Sequence, residues 1–86
     1  MSNIIYVVMY MKDKNYVQYR NLGLSVAYFR KVHGLTQQQV ADAMDVSYET
    51  ISRIENANTG ISFDMLLALS KAIKTPLHEI FEHAKL

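Results

Sequence analysis

Arg53 and Glu49 lie four residues apart in YETISRIE, residues 48–55 of this 86-residue chain, so a helix would stack them on one side. Arginine can grip O6 and N7 of a guanine with paired donors, and glutamate can accept from N4 of a cytosine. Each good contact of this kind discriminates by about 1–3 kcal/mol. At about 100° per residue, Glu49, Ser52, Arg53 and Asn56 point away from Ile51 and Ile54, with Tyr48 at the shoulder. Tyr48, Glu49, Ser52 and Arg53 are therefore the candidates for contact with base edges.

Such a face is useful only on a rigid element. Residues 36–55 (TQQQVADAMDVSYETISRIE) read as two short amphipathic helices joined by a tight turn. Thr36 is placed as an N-cap and Gln39 follows three residues on, so hydroxyl and amide can satisfy the helix's orphan donors reciprocally. Val40, Ala41 and Met44 form one apolar stripe, and Asp45 tolerates a left-handed turn. Val46 plugs the turn, Ser47 caps the second helix, and Ile51 and Ile54 bury it. This is the skeleton of a helix-turn-helix, whose second helix can enter a DNA major groove. Paired amphipathic helices also occur in domains that touch no nucleic acid, and periodicity alone leaves both readings open.

The net charge of +1 is unevenly spread. Residues 1–35 hold Lys12, Lys14, Arg20, Arg30 and Lys31 against Asp13, a balance of +4, whereas residues 36–60 hold Arg53 against Asp42, Asp45, Glu49 and Glu55, a balance of −3. An acidic reading unit must grip phosphates with neutral donors and helix N-termini, here Gln37, Ser47, Thr50, Asn56 and Asn58, with cations supplied from the N-terminal segment. A shallow salt dependence is expected, with a slope of log affinity against log salt no steeper than about −6.

The flanks complete a single small helical domain. Half the residues are apolar, with three glycines, one proline and no cysteine, so packing alone stabilises the fold and a reducing cytoplasm suits it. Leu22, Val26 and Phe29 predict a helix over 22–32 ending at Gly34. Residues 56–61 form a loop. Ser62 caps a helix running to about Ile73, and Thr75 and Pro76 serve as N-cap and first residue of a last one containing Leu77, Ile80 and Phe81. The fourth helix (DMLLALSKAI) is apolar on much of its circumference, which makes it either central to the core or shared with a partner subunit.

Residues 22–81 resemble the lambda-repressor-like helix-turn-helix family, the XRE-type regulators of bacteria and phages. The resemblance rests on the Leu22-Gly23 opening of the first helix, Arg30 followed by Gly34-Leu35-Thr36-Gln37, Val40-Ala41, and Val46-Ser47 with Thr50-Ile51-Ser52-Arg53-Ile54-Glu55-Asn56. It implies an all-α fold of five helices. It also implies that Gln37 binds phosphate, that Tyr48, Glu49 and Arg53 approach base edges, and that Arg30 and Glu55 form a structural ion pair outside the readout. The function implied is that of a sequence-specific, DNA-binding transcriptional regulator, a repressor that binds double-stranded DNA as a homodimer with half-sites about 34–36 Å apart. Three positions depart from the family pattern: Asp45 replaces the usual turn glycine, Ala57 the usual glycine after Glu55-Asn56, and Ala27 a frequent basic residue. These departures bear on target and affinity more than on fold.

Residues 1–20 fall outside that pattern and read as a short N-terminal β-strand or hairpin extension of a 21–86 DNA-binding domain. IIYVVMYM, residues 4–11, is β-branched and aromatic on both alternating faces, followed by a polar KDKN turn and Tyr16-Val17-Gln18-Tyr19. The favoured expectation is a dimer strand formed by Ile4, Ile5, Tyr6, Val7, Val8, Met9 and Tyr10, pairing with its copy in a second subunit. An intramolecular hairpin, or a start at Met9 or Met11, are the alternatives.

Other chemistry is weakly signalled. His33, His78 and His83 lack a metal-ligand spacing, no phosphate loop or nucleophile–base motif is present, and the eight-residue apolar run is too short to span a bilayer. Neither an enzyme, a metal, a cofactor nor a membrane partner is expected. The competing class is a protein-interaction module, such as an antitoxin or a partner-controlled regulator, and the acidity of the motif is its best support.

Overall fold

A computed structural model describes residues 14–86. Within them the chain forms five α-helices and no strand: α1 (Tyr16–Val32), α2 (Gln37–Met44), α3 (Tyr48–Glu55), α4 (Phe63–Ala72) and α5 (Leu77–Ala84). The apolar repeat of each helix converges on one core of Leu22, Val26, Val40, Ala41, Ile51, Ile54, Leu69, Ile73 and Ile80. Complete burial of an aliphatic side chain such as Val26 or Ile51 stabilises by about 1.5–3 kcal/mol. α1 lies across α5 and α3, and α2 packs between α3 and α4. The Ser25 hydroxyl, fully buried, donates to the Ile80 carbonyl at 2.7 Å and ties α1 to α5 without leaving a buried polar group unmatched.

Helix ends follow from local chemistry. Thr36 and Gln39 form the reciprocal capping box, Ser47 caps α3 and Ser62 caps α4 through their side-chain oxygens. Gly34 takes φ 69° just past the end of α1, and Asp45 takes φ 57° between α2 and α3, the left-handed geometry that closes a helix with little penalty only for Gly, Asn or Asp.

Two sequence expectations need correction. Tyr16, Val17, Gln18 and Tyr19 are the first turn of α1, not the second arm of a hairpin, and α1 begins there instead of at Leu22. The β-preference of Tyr and Val reflects how they pack on a sheet and yields to packing elsewhere. Here Tyr19 is half-buried, its hydroxyl 3.5 Å from where a Cβ on Gly60 would stand. At the other end of the chain Pro76 is the N-cap of α5 and Leu77 its first residue; the Thr75 hydroxyl is turned back to the Ile73 carbonyl at 3.0 Å and caps nothing. α4 buries Leu69 in the core and leaves Phe63 and Leu67 exposed, so one side of it is core and the other is free among the described residues. The dimer strand of Ile4, Ile5, Tyr6, Val7, Val8, Met9 and Tyr10 lies outside the described residues.

Candidate nucleic-acid interface

Two close contacts set the position of α3. Gly23 lies directly beneath the last turn of α3, and a Cβ there would stand 2.6 Å from the Glu55 carbonyl oxygen and 2.7 Å from that of Ile54. Only a residue without a side chain lets the α1 and α3 backbones meet this closely. The second contact is electrostatic. Arg30 Nε donates to Glu55 Oε2 at 2.7 Å and Nη2 to Oε1 at 3.0 Å, a bidentate pair whose side chains are 9% and 6% exposed. Arg30 Nη1 also donates to the Leu35 carbonyl at 2.8 Å, so one guanidinium holds both the end of α3 and the chain entering α2.

The turn between α2 and α3 is equally determined. The Val46 amide donates to the Ala41 carbonyl at 3.0 Å, and the half-buried Val46 side chain packs on the core. At the start of α3, Ser47 Oγ accepts from the Thr50 amide at 3.2 Å and shares a 2.9 Å hydrogen bond with the Thr50 hydroxyl. With Ile51 and Ile54 buried, α3 is rotationally fixed, which leaves Tyr48, Glu49 and Arg53 exposed and Ser52 partly so. Glu49 and Arg53, although one turn apart, form no ion pair with each other or with any other described residue. Two charged side chains of opposite sign are thus presented together.

The neutral donors are placed unequally. Ser47 and Thr50 stand at the N-terminus of α3 and Asn58 is exposed in the following loop. Asn56 Nδ2 donates to the Ser52 carbonyl at 2.9 Å and contacts Ser52 Oγ at 3.4 Å, so its amide is partly engaged. Gln37, the first residue of α2, sends Nε2 to Glu55 Oε1 at 2.9 Å, a link that spacing alone does not reveal. The role of Gly23 was equally hidden: the Leu22-Gly23 pair marks the resemblance, but only three-dimensional packing explains why the glycine is needed. Of the cations assigned to the N-terminal third, Arg30 is committed to Glu55, Lys14, Arg20 and Lys31 are exposed, and Lys12 lies outside the described residues.

A capped pair of short helices across a left-handed turn, locked to a preceding helix by a buried Arg–Glu pair, defines a helix-turn-helix domain. The helix-turn-helix family pattern matches residues 21–80, and the chain belongs to that family, as one of its XRE-type members. It is 41% identical over 61 residues to the competence pilus inhibition repressor of Acinetobacter baylyi, a match covering 71% of this chain and 56% of that protein. The chain therefore spans little more than half the length of this relative. In fold it is similar to the clp gene regulator ClgR from C. glutamicum, with TM-score 0.76 and 24% identity over 79% of this chain and 88% of that one. It is also similar to the restriction-modification controller protein C.AhdI from Aeromonas hydrophila, with TM-score 0.70 and 21% identity over 73% and 96%. Among the described residues no helix is long and apolar enough to cross a membrane.

Proposed function

We propose that this protein is a cytoplasmic, sequence-specific DNA-binding repressor that acts as a homodimer on a two-fold operator, occupying the site and excluding polymerase. The observation that carries the reading is the outer face of α3, where Tyr48, Glu49 and Arg53 are exposed on a helix whose rotation is fixed by Ile51, Ile54 and the Glu55–Arg30 pair. Arg53 suits guanine, Glu49 suits cytosine N4, and Ser52 accepts either role. Gln37, Ser47, Thr50, Asn56 and Asn58 hold the phosphates from the two helix starts and the following loop. Because Arg30 is already paired, few cations face the backbone, and the slope of log affinity against log salt stays shallower than about −6.

The test is selection of bound sequences from random duplex DNA at physiological salt. The reading expects an enriched palindrome whose halves sit one helical turn apart, about 34–36 Å. No enriched sequence would remove it. A second reading, a module that docks a partner protein, draws support from Phe63 and Leu67, both exposed on α4. It expects Arg53→Ala to bind DNA as well as the unmodified protein does.

A further inference from the structure

The buried ion pair carries a third member. Gln37 Nε2 donates to Glu55 Oε1 at 2.9 Å, the same oxygen that accepts from Arg30 Nη2 at 3.0 Å, while Arg30 Nη1 holds the Leu35 carbonyl two residues before Gln37. We infer that Glu55, backed by Arg30, is a positioning residue that holds the Gln37 amide in its DNA-binding orientation before DNA arrives. The inference rests on the DNA-binding reading above and extends it: the ion pair, which sequence resemblance sets apart from the readout, reaches the phosphate contact through one hydrogen bond.

The chemistry fixes the direction of the amide. A carboxylate with both oxygens bound to a guanidinium offers lone pairs and no proton, so only the NH2 end of Gln37 can face it. A flipped amide would set oxygen against oxygen in a site where Glu55 is 6% exposed, and repulsion there is poorly screened. Nε2 carries two hydrogens. One is given to Glu55, which leaves the other, with its direction set by the plane of the amide, to meet an acceptor such as a phosphate oxygen. Gln37 is half-exposed at the first position of α2, where backbone N–H groups also lack helical partners and the helix dipole favours an anion. A free glutamine would lose its rotamer freedom on binding phosphate. One already tied to Glu55 has lost it in the folded protein, and such preorganisation raises affinity by about 2- to 10-fold per side chain.

The experiment is a double-mutant cycle on the full chain, read as dissociation constants for a duplex obtained by selection against the unmodified protein. Gln37→Ala is expected to weaken binding by about 2- to 10-fold when Glu55 is present, and by less than about 2-fold in the Glu55→Gln background. Equal penalties in the two backgrounds overturn the inference while leaving the DNA-binding reading intact; absence of any duplex bound by the unmodified protein removes both. Should Glu55→Gln fail to fold, the side-chain amide of Gln37 in the unmodified protein decides by NMR. One Nε2 proton exchanging with water much more slowly than those of the exposed Gln18, before and after duplex is added, supports the inference. Two protons exchanging as fast as those of Gln18 overturn it.

Discussion

α1 and α3 each bury one side in the same core, and what they leave outside differs. α3 is eight residues long and turns Tyr48, Glu49 and Arg53 outward, with Ser52 partly exposed. α1 is 17 residues long, contains no acidic residue, and exposes Tyr16, Val17, Leu24, Tyr28 and Val32 with Arg20 and Lys31. The exposed side of α3 carries paired hydrogen-bonding groups of defined geometry, the kind that tell one base from another. That of α1 carries apolar surface and diffuse positive charge, which attracts without discriminating. Arg53 apart, the positive charge of α1 and the reading groups of α3 thus reside on different helices, and the cation that joins the two, Arg30, is neutralised by Glu55.

That contrast can be broken first at its joint. Arg30→Ala leaves Glu55 buried without its partner and is expected to cost about 3–5 kcal/mol in urea denaturation; a loss below about 1 kcal/mol would mean that α1 and α3 are not held by this pair. Next comes Gly23→Ala. In a free helix the change would stabilise by about 0.5–1 kcal/mol, but here the new methyl meets the Ile54 and Glu55 carbonyls within 2.7 Å. A net destabilisation of about 1–3 kcal/mol in thermal unfolding is expected, and a gain in stability would contradict the close approach. Ser47→Ala removes the cap of α3 and should cost about 1 kcal/mol, measured by the same unfolding. The smallest effect belongs to the outer face of α1: Leu24→Ser should change stability by no more than about 0.5 kcal/mol. A larger loss would show that this face is covered in the folded protein.

The two regions also differ in how far the sequence reveals them. The α2–α3 unit is governed by neighbours in the chain. Thr36 with Gln39, Asp45, and Ser47 with Thr50 act over three or four residues, so capping and turn chemistry could be read directly, and the structure has each of these contacts. The start of α1 is governed by distant residues. Tyr16, Val17 and Tyr19 carry a strand-like preference, and the loop at Gly60, far along the chain, is what Tyr19 meets; no local pattern announces that contact. Thr75 and Pro76 are displaced by one position for a local reason: the Thr75 hydroxyl bonds the Ile73 carbonyl two residues back, and Pro76 stands at the N-cap. At the candidate site, the exposed row on α3 follows from helical period alone. The link from Gln37 to Glu55 spans 18 residues and depends on where the two helices cross, so it had no sequence signal.

Whether the outer face of α3 distinguishes bases is decided by Arg53→Ala, because Arg53 is exposed and supports no other described side chain. Dissociation constants for the selected duplex and for an unrelated duplex would be compared at one salt concentration, with the melting temperature recorded alongside. Melting is expected to be unchanged, and the ratio of specific to non-specific affinity to fall by about 5- to 150-fold, the equivalent of one lost base contact. An unchanged ratio in a folded Arg53→Ala protein would contradict that expectation.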